Sequence, residues 1–146
     1  MDSFEYWFKE PLIERTGTAQ NQAEALFHAP FALVSHGPEA DPILNYGNRT
    51  ALELWGLDWQ TLVQTPSRLT AEAVHRSTRE KILRETSLHG FIRGYEGIRI
   101  ARNGLRFRIE ETTLWNILEA VLINPEPAPA ASGFQGATRV ARFGYS

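Results

Sequence analysis

A chain of 146 residues with 15 Lys and Arg against 17 Asp and Glu, a formal charge of −2 and no cysteine is the length of one domain. It is long enough to bury roughly two thirds of the surface its unfolded chain exposes. The charge gives no bulk attraction to nucleic acid or acidic membrane, and disulfides, thiolate metal sites and cysteine nucleophiles are excluded. The start, Met1-Asp2-Ser3-Phe4-Glu5, is acidic where a signal peptide is basic, and no apolar run approaches a membrane span, so a cytoplasmic protein is expected.

Phe4, Trp7, Phe8, Leu12 and Ile13 recur at helical spacing over residues 3 to 14, interrupted by Pro11. A second helix is expected over about 19 to 29, with Ala23, Leu26 and Phe27 together. The first of these aromatic stripes is placed to cover a sheet or a partner subunit. Phe31 to His36 reads as a strand ended by Gly37-Pro38, and Ile43 to Tyr46 as a second, close enough in sequence to form a hairpin. Gly47 breaks that strand and Asn48 suits an N-cap; Ala51, Leu52 and Trp55 then share a helical face, and Gly56 fits the left-handed end. Asp58 caps a further short helix between Leu57 and Leu62. A longer helical region runs from Leu69 to Leu88, with Ser77 and Glu80 at capping-box spacing and Gly90 as its stop.

The sharpest local signal is Asn103-Gly104 between two alternating runs, the mark of a type I′ hairpin. A two-residue turn sets Ile100 opposite Phe107 and Ile98 opposite Ile109 on the apolar side. Arg99 then faces Arg108 on the outer side with Arg106 beside them, a basic stripe that needs an acidic partner, a solvated face, or cover from Glu5, Glu10 and Glu14. The same register sets Glu96 opposite Glu111, a coupled pair suited to acid–base work unless a bulge at Gly94 or Gly97 turns one outward. The second strand continues to Leu118; a Pro-rich stretch, within an insertion at 120–132, follows, and a last strand is expected over 136 to 143.

This element order resembles the PAS fold. Ser35-His36-Gly37, Asp41-Pro42-Ile43-Leu44-Asn45-Tyr46-Gly47-Asn48-Arg49, Pro66-Ser67-Arg68-Leu69-Thr70-Ala71-Glu72 and Arg106-Phe107-Arg108-Ile109-Glu110 resemble, more closely, the MEKHLA family. That is a PAS-related domain found alone in bacteria and at the carboxyl end of some plant homeodomain-leucine zipper transcription factors. The resemblance covers about residues 26 to 118. It implies an α+β fold, a five-stranded antiparallel sheet with helices on one face, preceded by an N-terminal helical extension over 1–25, with the domain itself over 26–146.

The resemblance further implies a non-enzymatic sensory or interaction domain, with a small molecule between helices and sheet and with dimerisation or a signalling partner as output. Candidate pocket residues are Leu33, Tyr46, Asn48, Arg49, Leu52, Trp55, Ile98, Ile100, Phe107, Ile109 and Trp115; for Asn48 and Arg49 the simpler roles are a cap and a local ion pair. Candidate interface residues are Trp7, Phe8, Arg99, Arg106 and Arg108. No cofactor is specified. Adduct-forming flavin chemistry needs a cysteine, non-covalent flavin stays open, and His75 or His89 would be the axial candidates for a haem. His28, His36, His75 and His89 have no metal-binding spacing, and no phosphate loop or serine nucleophile motif occurs. The competing reading is a nuclear-transport-factor-like α+β cone using Glu96 or Glu111 as a base. Strand order separates the two, because only the PAS-like arrangement places the 31–36 strand centrally, beside the last strand.

Overall fold

The computed structural model describes residues 1–37, 39–117, 135–140 and 142–145, and for 73–75, 83, 87, 135–140 and 142–145 the backbone alone. The 120–132 insertion lies outside the described residues. In chain order the elements are α1 (Asp2–Phe8), α2 (Ala19–Phe27), β1 (Ala32–His36), β2 (Leu44–Gly47), α3 (Arg49–Trp55), α4 (Trp59–Leu62), a 3-10 turn (Ser67–Thr70), α5 (Ala73–His89), β3 (Phe91–Ile100), β4 (Arg106–Ile117), β5 (Gln135–Val140) and β6 (Arg142–Tyr145).

Most ends of these elements follow from local chemistry. Asn48 caps α3 by accepting from the Ala51 amide at 3.1 Å, and Gly56 ends that helix with φ +68. Asp58 caps α4 through the Thr61 amide at 2.7 Å. The long helix departs from expectation at its start. It begins at Ala73 after Glu72, whose side chain makes no cap bond, so Ser77 and Glu80 sit inside the helix instead of opening it. Its stop at Gly90 is as expected, with φ +91.

The strands form one antiparallel sheet in the order β2-β1-β5-β4-β3, with β6 pairing β4. It has six strands where five were expected, because the region expected as a last strand is divided: β5 lies between β1 and the far half of β4, and β6 pairs Phe107 to Glu110 of its near half. The 31–36 strand is central and beside β5, the order that the PAS-like arrangement requires and the cone does not. Side chains alternate across a strand. Ala32 of β1 therefore packs with Ala51, Leu54 and Trp55 of α3, while its neighbour Leu33 packs on the opposite face with Phe4 of α1 and Trp115. The amino-terminal stripe covers the sheet, and the sheet carries helices on both faces.

The β3–β4 hairpin corrects the expected register. Ala101 donates to Leu105 and Gly104 to Ala101, each at 2.9 Å, so the loop has three residues ending in Gly104 at φ +86. An Asn-Gly pair serves both two- and three-residue loops, and the longer one shifts pairing by one. Arg99 now faces Phe107, Ile98 faces Arg108 and Ile100 faces Arg106. Arg99 thereby leaves the outer stripe and is buried with Phe107 and Ile109. On the outer side Arg106 pairs with Glu72 and Arg108 with Glu110. The expected cover does not reach them: Glu5 pairs with Arg15 and Glu10 with Arg93.

Two bulges then offset one another. One is at Gly94 (φ +72), an expected position; the other lies in β4, where Glu111 takes φ +51. Glu96 falls across from that second bulge, and both Glu96 and Glu111 are exposed. The expected carboxylate pair on the apolar side does not form. Beyond the bulge Thr112, Leu114 and Asn116 are buried alternately, while Trp115 turns to the α1 face.

Candidate functional site

Between the sheet and the layer of α3, the 3-10 turn and α5 lies a cavity of about 40 Å³. Its apolar walls include Val34, Leu44, Trp55, Ile82, Ile109 and Leu114. Its polar groups are Ser35, His36, Ser67, Thr70, Arg79 and Arg99. Helical periodicity explains Arg79, since Ile82 and Thr86 lie three and seven residues on and one face of α5 turns all three inward. The three-residue loop explains Arg99, because it places that residue opposite buried Phe107.

Both arginines are 7% exposed. Arg79 donates through Nη2 to the Ser67 hydroxyl, and Arg99 through Nη1 to its neighbour's carbonyl, Ile98 O, at 3.0 Å. The Arg99 guanidinium also lies 5.7 Å from the Tyr95 ring centre. Among the described residues the ion pairs engage other arginines, and no carboxylate pairs with either of these. Burial, followed by the like charge of Arg99, pulls the Arg79 pKa down to about 10, which leaves it charged at neutral pH.

His36 closes the end of β1. Its Nδ1 lies 3.0 Å from Gly37 O, and because a carbonyl only accepts, Nδ1 carries the proton. Burial holds its pKa below the ordinary 6.5, partly offset by that bond and assisted by Arg79, so the ring is neutral at neutral pH. Trp55 Nε1 is buried without a hydrogen-bond partner among the described residues.

Two further spaces adjoin the core. An open groove of about 260 Å³ shares Trp55 and Thr70 with the cavity and adds Leu57, Leu69 and Ile100. On the opposite face of the sheet, a space of about 150 Å³ lies under the amino-terminal helices, between Leu12, Leu26, Leu33, Tyr46 and Trp115.

These positions divide the pocket residues expected from sequence. Trp55 and Ile109 meet at the inner cavity, with Phe107 packed beside them in the core. Ile100 lines the open groove, and Leu33, Tyr46 and Trp115 gather on the other face. Asn48 is fully buried and ties four backbone groups together; Arg49 is exposed and pairs with Glu53 at 3.1 Å. Leu52 and Ile98 are half-buried and line none of these spaces. The sequence reading did not include Arg79, Arg99, His36 or Ser67 in the pocket. The spacing of Arg79 from Ile82 and Thr86 carried a signal for one of them. For Arg99 the turn length was decisive, and local sequence leaves that length open.

The fold is that of the PAS domains. A PAS domain from Colwellia psychrerythraea superposes with a TM-score of 0.64 at 16% identity, covering 83% of this chain and 94% of that one. A PAS domain in complex with ethanol, from a LuxR-family transcriptional regulator of Burkholderia thailandensis, gives 0.55 at 18% identity, covering 80% and 93%. A light-oxygen-voltage domain studied with a flavin analogue gives 0.61 at 12% identity, covering 86% and 84%. Within this class the match is specific: the family model of the MEKHLA domain matches residues 1–122, and the chain belongs to that family. The match takes in α1 and α2. No curated protein matches the chain.

A flavin does not fit the inner cavity. The chain has no cysteine for an adduct, and about 40 Å³ is far below the roughly 300 Å³ at which pockets for larger ligands begin. The His75 side chain, one of the two axial candidates for a haem, lies outside the described residues, and His89 is exposed. Among the described residues no helix is long and apolar enough to cross a membrane, and no group of three or more His, Asp or Glu is placed to hold a metal ion.

Proposed function

We propose that this chain is a non-enzymatic, cytoplasmic sensory and interaction domain that binds a small molecule between α3, α5 and the sheet. It acts by associating with a second copy or a signalling protein, and not with nucleic acid or membrane. Residues 1–25 serve as a helical extension and 26–146 as the sensing domain. The observation that carries this reading is the inner cavity, whose walls come from helix, turn and strand together, so that an occupant touches both the sheet and the α3/α5 layer. Trp55 and Ile109 contact the ligand, while Phe107 supports them.

The association surface is centred on α1. Trp7 and Phe8 are half-buried against Phe91, which remains 37% exposed, and Arg93 lies over the Phe8 ring at 4.2 Å. Arg106 and Arg108 belong to this surface only as paired, exposed charges, and Arg99, now internal, is withdrawn from it. Native mass spectrometry of freshly purified protein tests both halves of the reading. The expected result is a dimer, a bound small molecule, or both. A strict monomer that carries nothing and gives no thermal shift with any small molecule overturns it.

A further inference from the structure

The inner cavity has a chemistry of its own, set by which hydrogen-bonding groups face it. Each guanidinium carries five N–H donors. Arg79 and Arg99 each give one to a protein acceptor among the described residues. Ser67 accepts from Arg79 and keeps its own hydroxyl proton to donate, and the buried Trp55 Nε1–H has no partner among the described residues. Among the described residues the cavity is therefore lined by a surplus of donors and two positive charges, with no carboxylate.

Buried charge is costly unless it is paired, and two like charges lining one cavity add repulsion to desolvation. Elsewhere, arginines 15, 49, 68, 93, 106 and 108 are exposed and have carboxylate partners, while Arg84 and Arg102, in no ion pair among the described residues, are exposed to water. The two arginines that gain most from a counter-charge lack one. Among the described residues no carboxylate pairs with either of them.

We propose that the cavity is a receptor site for a small organic carboxylate, held between the Arg79 and Arg99 guanidiniums with Ser67 and Trp55 Nε1 as further donors. This deepens the sensory reading above and rests on it. A carboxylate matches the planar donor fork of arginine, whereas a compact inorganic dianion loses more on entering walls as apolar as Val34, Leu44 and Leu114. The available space of about 40 Å³ suits a head group of a few atoms, since one water needs roughly 10–15 Å³ of such space. A short aliphatic tail leads past Trp55 and Thr70 into the adjoining apolar groove. Binding would join α5 to β3 through one anion, bridging the helix layer to the sheet.

The test is a thermal-shift and calorimetric titration of the full chain at constant ionic strength with sodium acetate, propionate, butyrate, succinate, phosphate and chloride. Ethanol and propionamide serve as neutral counterparts. Monocarboxylates are expected to raise the melting temperature and bind at least tenfold tighter than the neutral compounds, with butyrate above acetate. Arg79→Met and Arg99→Met should each weaken butyrate at least tenfold. Should either variant fail to fold, the wild-type chain still reports, because the Trp55 indole N–H, identified by its absence in Trp55→Phe, should shift on titration with butyrate. Neutral compounds binding while carboxylates do not would overturn the anion site and leave the sensory pocket standing. Binding by nothing at all would overturn both. Phosphate or chloride binding as well as butyrate would also refute a carboxylate receptor.

Discussion

Asn48 illustrates how one side chain can hold several elements. Its Oδ1 accepts from Ala51 N at 3.1 Å and Leu33 N at 2.9 Å, and its amide donates to Phe31 O at 2.8 Å and Leu26 O at 3.3 Å. Removal strands buried backbone groups as well as uncapping α3, so Asn48→Ala should cost roughly 3 kcal/mol in urea denaturation. Asn48→Asp keeps the cap but sets a carboxylate against two carbonyls. It should be comparably destabilised, whereas near-wild-type stability would reduce Asn48 to a cap alone. His36 makes a pH prediction. Its folded pKa lies below the unfolded 6.5, because burial disfavours the charged ring. The unfolded chain binds the proton first on acidification, so this contribution is complete above 6.5 and is lost as pH falls through the folded pKa. Over that window the slope for this one proton stays below the limit of about 1.4 kcal/mol per pH unit. Urea midpoints of wild type and His36→Gln, compared between about pH 7.5 and 5.5, should converge on the acid side.

Gly90 belongs to the scale of elements, because it ends α5 and starts β3 under the ring of Trp7. Its φ is +91, and an added Cβ would overlap the six-membered ring of Trp7. Trp7 in turn donates from Nε1 to Asn116 O at 3.0 Å, which fixes α1 on β4. Gly90→Ala should therefore cost roughly 2–4 kcal/mol and displace Trp7, seen as a shifted indole N–H resonance. Gly56→Ala is the control: φ is +68 but a Cβ meets open space, so only the backbone cost of about 1 kcal/mol is expected, with Trp7 unmoved. The β3–β4 hairpin shows why elements were easier to read than their pairing. Alternation identified both strands and Asn103-Gly104 identified the turn. A single loop residue nevertheless decided whether Arg99 faced solvent or the core.

At the scale of the whole molecule, two apolar clusters lie on opposite faces of one sheet, and the second depends on the amino-terminal helix. Phe4 and Trp115 are almost completely buried against each other, with ring centres 5.0 Å apart. Burial of each such side chain contributes about 1.5–3 kcal/mol. A chain beginning at residue 18 should therefore bind a hydrophobic dye and self-associate in sedimentation; a stable monomer without dye binding would show that α1 is dispensable. The family was legible from four short strings, as were the caps at Asn48, Gly56 and Asp58, because each depends on residues within one helical turn. The central place of the 31–36 strand also followed, through the fold those strings implied. The pocket was legible only in part: Trp55 and Ile109 were named for it, while Leu33, Tyr46 and Trp115 went to the other face once the sheet carried helices on both sides. The sequence by itself determined the family, most of the elements and the caps at Asn48, Gly56 and Asp58, since those are set by neighbours along the chain; the start of α5 and the division of the last strand were not among them. Only the tertiary structure decided the hairpin register, the two offsetting bulges and the meeting of Arg79 with Arg99. Strand parity and burial depend on loop length and on partners distant in sequence, and no local pattern encodes them.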